Sequence, residues 1–241
     1  MPSDSAALRA RLTNVRERIA TAASRVGRDP ASVRLIAISK TFSAGEIRAA
    51  AAAGQIDFGE NKVQEALQKI GEVGTDTLRW HLVGHLQSNK ARKAAEHFHT
   101  IHAIDSAALL MKVDDAAAAA GRSIDLLLQV DLAGEPTKHG ARPDEIPAML
   151  RAAAACHASR VVGLMTLPPA VDDAESARPY FARLRDLRDR FAPQAPGGVL
   201  TELSMGMSHD FEVAIAEGAT MVRVGTAIFG KRTPPSTATE G

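Results

Sequence analysis

Two apolar rhythms run along this chain. Over residues 4–26, Leu8, Leu12, Val15 and Ile19 recur every three or four positions with Arg and Glu between them, which predicts a helix with one apolar stripe. Short, largely apolar runs follow: residues 33–39 (VRLIAIS), 55–59 (QIDFG), 78–84 (LRWHLVG), 100–104 (TIHAI), 124–130 (IDLLLQV), 160–166 (RVVGLMT), 199–204 (VLTELS) and 220–224 (TMVRV). Such runs read as strands covered on both faces, as in a parallel sheet.

Helical stretches separate the strands. Ser43 caps one that stops at Gly54, Asn61 opens the next, and Ser106 caps a helix over 107–120 that Gly121 ends. The longest later helix is expected over 173–191. About eight strands, each followed by a helix except the last, predict an α/β fold, a single (β/α)8 TIM-type barrel with an extra N-terminal helix. An open doubly wound sheet is the alternative, weakened because no GxGxxG follows the first strand. Without an internal repeat or a Gly/Ser linker, residues 1–232 are expected to form one domain. The polar, Pro-containing tail, 233–241, is expected to be disordered.

Composition narrows the class. The 241 residues are 45% apolar but only 4% aromatic, so Ala, Val, Leu, Ile and Met must build the core. With 29 basic and 28 acidic residues the net charge is +1, which gives no footprint for nucleic acid. No apolar run is long enough to span a bilayer and no secretion signal opens the chain. The lone Cys156 fits a reducing compartment, so a cytoplasmic protein is expected.

In an α/β barrel the chemistry sits at the C-terminal ends of the strands. Lys40 ends the first apolar run, where desolvation would make its amine nucleophilic. By position alone, a lysine that merely reaches water is the better reading. The loops after strands seven and eight, SMGMS and VGTAIFG, carry small residues and hydroxyls where barrels often place a phosphate. Either loop alone is better read as a cap or a tight turn; together with Lys40 they favour a phosphate. Arg223 lies among apolar neighbours and needs a partner, in a structural salt bridge or in a ligand. His81 with His85, and His97 with His99, lack metal-ligand spacing, so no metal is expected. The loop over 131–142, with Lys138 and His139, suits a plain surface loop better than a mobile cover.

Seven segments together resemble a known family: AISKTF (37–42), FGENKVQEA (58–66), WHLVGHLQSNK (80–90), IDS (104–106), GLMTL (163–167), LSMGMSHDFEVAI (203–215) and VRVGTAIFGKR (222–232). They are similar to the pyridoxal phosphate homeostasis proteins, small barrels related to the N-terminal domain of alanine racemase. Leu82 stands where that family more often has Phe or Met, a conservative departure. The resemblance implies that the chain binds pyridoxal 5′-phosphate (PLP) as a Schiff base on Lys40. Ser208, Gly225 and Thr226 become phosphate ligands, Arg223 faces the pyridine nitrogen, and Asn61 neighbours the cofactor. Met205 and Met207 pack near the ring or belong to the core.

The implied role is intracellular PLP homeostasis: buffering the cofactor, delivering it to PLP-dependent apoenzymes and affecting amino-acid balance, without catalytic turnover. The alternative is an amino-acid racemase, which needs two bases on opposite faces of the carbanion. In alanine racemase the second is a tyrosine from an extra C-terminal domain of a partner subunit. Here 11 residues follow Gly230, and the only tyrosine, Tyr180, is expected on an outer helix. His209 is a conceivable substitute base. Without that domain a monomer is expected.

Overall fold

A computed structural model describes residues 2–74, 77–134 and 139–230. Eight parallel strands close into a barrel in sequence order, with β8 hydrogen-bonded back to β1. They are β1 (Arg34–Ile38), β2 (Asp57–Glu60), β3 (Arg79–Leu82), β4 (Thr100–Ile104), β5 (Ile124–Gln129), β6 (Ser159–Met165), β7 (Glu202–Ser204) and β8 (Met221–Val224). Closure excludes the open-sheet alternative: Ile36 stands opposite Arg223 and Ala37 opposite Val224.

Helices α1 (Pro2–Arg25), α2 (Ala44–Ala52), α3 (Val63–Val73), α4 (Ala91–His97), α5 (Ala107–Ala119), α6 (Ile146–Ala153), α7 (Arg178–Phe191), α8 (Phe211–Ala216) and α9 (Thr226–Phe229) surround the strands. The stripe expected on α1 is buried at Leu8, Leu12, Val15 and Ile19. It packs on α2, α8 and α9, across the junction of β8 with β1. Arg11 donates to the Ile228 carbonyl at 2.7 Å, and Arg28 to those of Ile215 and Ala219 at 2.9 Å.

Two apolar layers follow from strand alternation. The larger lies between strands and helices and includes Phe58, Trp80, Phe98 and Phe211. The smaller, inside the barrel, consists of Ile36, Ile38, Val83, Leu127, Met165 and Met221.

Several boundaries differ from the sequence reading. β7 begins at Glu202 because Gly197 and Gly198 adopt φ of 66° and 67°, in a turn no strand can contain. Asn61 does not open α3, whose N-cap is Lys62. A short helix, α9, does follow β8. Ser43 behaves as expected, with a full capping box to Glu46. The tail over 233–241 and Lys138 lie outside the described residues.

Candidate cofactor-binding site

Two adjoining cavities, of about 220 and 510 Å³, open at the C-terminal mouth of the barrel. Ile38, Lys40, Met207 and Arg223 line both. Ser208, Gly225 and Thr226 border the smaller, and Asn61 the larger. The mouth therefore brings together all six residues singled out from the sequence. A cleft of about 300 Å³ at the other end of the barrel and a groove along α1 gather none of them.

Lys40 is half-buried, two residues past β1, in a turn closed by the Phe42 amide donating to the Ser39 carbonyl at 3.0 Å. Thr41 takes φ 69°, a left-handed conformation that a β-branched residue avoids unless its surroundings impose it. The surroundings come from α3. Glu65 accepts from the Thr41 amide at 2.5 Å, and Lys69 donates to the Ser39 carbonyl at 2.7 Å, to Glu60 at 2.8 Å and to Glu65 at 2.7 Å. The Ser39 hydroxyl donates to the same Glu60 oxygen at 2.6 Å. Burial pushes the Glu60 carboxyl up against the pull of Lys69 and Ser39, and its second oxygen has no partner among the described residues. Burial also acts on Glu65, but Lys69, the Thr41 amide and Lys62 leave it below the usual carboxylate range. Nothing local in the sequence marks Lys69, a charged residue on α3, as packing behind Lys40.

Arg223 on β8 is buried, and burial lowers its guanidinium to about 10, so it stays charged at neutral pH. It donates to the Ser204 hydroxyl at 2.6 Å and to the Thr166 carbonyl at 2.9 Å. Among the described residues it pairs with no carboxylate, so the structural salt bridge open to it from sequence is not formed. Two neutral acceptors leave guanidinium N–H groups for a ligand at the mouth.

Ser208 caps no helix of its own, since α8 starts three residues later, at Phe211. Its hydroxyl accepts from the backbone amides of Gly225 at 3.2 Å and Ala227 at 3.4 Å, tying the β7 loop to the β8 loop. Gly206 is required there: φ is 90°, and a Cβ would meet that of Ala214 at 2.6 Å. Met205 is buried in the outer core, whereas Met207 is exposed at the mouth.

The histidines divide. His81 lies inside the barrel, 3.0 Å from His102 and 2.9 Å from Asp57. His97 ends α4, half-buried, with Nδ1 3.0 Å from the Lys93 carbonyl, and His99 accepts from the Trp80 amide at 3.1 Å. His85 and His139 stack at the mouth, 3.6 Å between ring centroids and 9° between planes, with Asp105 3.5 Å from His85. Donor atoms of these three lie within 4.8 Å of one another. The imidazole lone pairs lie in nearly parallel planes and do not converge on one ion. His209 is exposed and bonds the Asp172 carbonyl at 3.1 Å, while Tyr180 stands on the outer helix α7.

The fold and its mouth define a class. A sequence model of the family described as alanine racemase, N-terminal domain, matches residues 10–233. The pyridoxal phosphate homeostasis protein of Pseudomonas aeruginosa is 43% identical over 221 residues, covering 92% of this chain and 94% of its own. That of Escherichia coli K12 is 40% identical, covering 92% and 95%. PipY of Synechococcus elongatus, solved with PLP bound, superposes with a TM-score of 0.80 at 46% identity, covering 90% of this chain and all of its own. The chain belongs to the pyridoxal phosphate homeostasis protein family.

Proposed function

We propose that this protein binds PLP at the barrel mouth and serves cytoplasmic PLP homeostasis as a monomer, holding the cofactor and yielding it to PLP-dependent apoenzymes. Two features support the cytoplasm: a single cysteine, and no helix among the described residues long and apolar enough to cross a membrane. When bound, PLP supplies an aldehyde that condenses reversibly with an amine and an electron-poor ring.

The carrying observation is the pairing of Lys40 with Arg223 on the walls of the same two cavities. A buried guanidinium whose protein partners are a hydroxyl and a carbonyl suits a neutral acceptor such as a pyridine nitrogen. Lys40 supplies the amine. Ser208, Gly225 and Thr226 border the smaller cavity, where the hydroxyls of Ser208 and Thr226 would donate to a phosphate. Asn61 lines the larger cavity, where the ring would lie. Arg223 keeps its own proton and, facing a pyridine nitrogen, would leave that nitrogen unprotonated, which would disfavour carbanion chemistry and suit storage more than turnover.

The test is an absorption spectrum with added PLP, then borohydride reduction and peptide mass mapping, on the native sequence and on Lys40→Ala. A reduced adduct on Lys40 that disappears in the variant is expected. A protein that stays colourless with PLP, or an adduct elsewhere, overturns the reading.

A further inference from the structure

A column of polar side chains crosses the barrel interior from its N-terminal end to Arg223. The Ser204 hydroxyl lies 2.6 Å from Arg223 Nη1 and 2.8 Å from His102 Nδ1. His102 Nε2 lies 3.0 Å from His81 Nδ1, and His81 Nε2 lies 2.9 Å from Asp57. Arg79 grips that carboxylate with two hydrogen bonds, at 2.8 and 2.7 Å. Asp57, His81, His102, Ser204 and Arg223 are all buried.

Only one direction of donation satisfies this column. Arg223 can only donate, so Ser204 accepts from it, and the Ser204 proton is free to go to His102 Nδ1. His102 then carries its proton on Nε2 and donates to His81 Nδ1. His81 in turn donates from Nε2 to Asp57, which can only accept. The opposite direction, which a hydroxyl with two lone pairs would tolerate at Ser204, would aim a lone pair of His81 at the Asp57 carboxylate. Charge fits the same assignment. Burial holds both rings below the usual histidine value, and Arg34, Arg79 and Arg223 also face them. The inner wall accepts apolar side chains elsewhere, at Ile36, Leu127 and Met221, so polar groups here are not required to fill space.

We propose that His102 and His81 are positioning residues for the mouth: they pass a fixed hydrogen-bond polarity from Asp57 to Ser204, whose lone pair then holds the Arg223 guanidinium toward the ligand. This rests on the PLP reading only where it concerns affinity; the polarity itself belongs to the ligand-free protein.

Two measurements test it. Ring-nitrogen chemical shifts of the ligand-free, isotope-labelled protein report the tautomers. Both rings are expected protonated on Nε2, and Asp57→Asn, whose amide can donate, is expected to reverse them. PLP titration followed by absorbance reports the consequence. Asp57→Asn and His102→Phe are expected to weaken binding about tenfold and to shift the visible band, since Ser204 then has no acceptor at His102 to fix the lone pair that faces Arg223. His102→Asn, whose amide oxygen can take the place of Nδ1, restores most of the affinity. Nδ1-protonated rings in the native protein overturn the proposal, as does binding with an unshifted band in both weakening variants. If the native protein binds no PLP, the functional reading fails while the tautomers still decide the relay.

Discussion

Lys69 donates to the carbonyl oxygen of Ser39 at 2.7 Å, so a second lysine braces the turn that presents Lys40. The brace also neutralises Glu60, fully buried beneath it.

Replacing Lys69 with Met would strand the Glu60 charge in the core. The expected loss is about 3 kcal/mol of unfolding free energy, because a buried pair missing one partner keeps its full desolvation cost. Urea denaturation measures it. The double variant Lys69→Met/Glu60→Gln should recover part of the loss, since the pair is coupled.

Gly84 supports Asn61 by being small. A Cβ built there would collide with the Asn61 carbonyl oxygen and lie 2.8 Å from its Cα. Gly84→Ala is therefore expected to cost about 1–3 kcal/mol and to weaken PLP binding by moving Asn61. Gly71, in α3 with open space around its would-be Cβ, is the control. Gly71→Ala should stabilise by up to about 1 kcal/mol and leave binding unchanged.

Ser208→Ala removes the hydroxyl between the two small-residue loops. Affinity for PLP should fall about tenfold while that for pyridoxal, which has no phosphate, stays constant. Parallel titrations with the two compounds decide it; equal losses would place Ser208 away from the phosphate.

Stability should fall in mild acid. His81 and His102 have folded values below 6.5, so below that pH the unfolded chain takes up protons that the buried rings refuse. The contribution is present above 6.5 and is lost as the pH drops toward the folded values. Asp57 acts lower down. Burial alone would raise it, but His81 and Arg79 hold it at about 2 against an ordinary 3.8, so its share is kept above 3.8 and lost toward about 2. Thermal midpoints should decline from about pH 7 to about pH 5, and His102→Phe should reduce the slope by roughly one proton.

The strands were legible because each apolar run is short and bounded by Gly, Ser or charged residues; β4 matches its run throughout. β7 was overread because VLTELS is apolar enough for six residues, while the two preceding glycines bend the chain away. Lys40 was legible as a polar residue at the end of an apolar run, and Arg223 as a charge within one. The relay was not, since Asp57, His81, His102 and Ser204 sit on four strands. Only the barrel's shear brings their inward faces level, and nothing local in the sequence records that.

The mouth also lies on the line where the first and last strands meet. Lys40 belongs to the beginning of the sheet and Arg223 to its end, joined through the pairing of Ile36 with Arg223 and covered outside by α1. A chain emerging from the ribosome owns the amine long before it owns the guanidinium. The pocket comes into being at the moment the circle of strands shuts, and a ligand held there acts as a clasp on that circle, resisting its reopening by mass action.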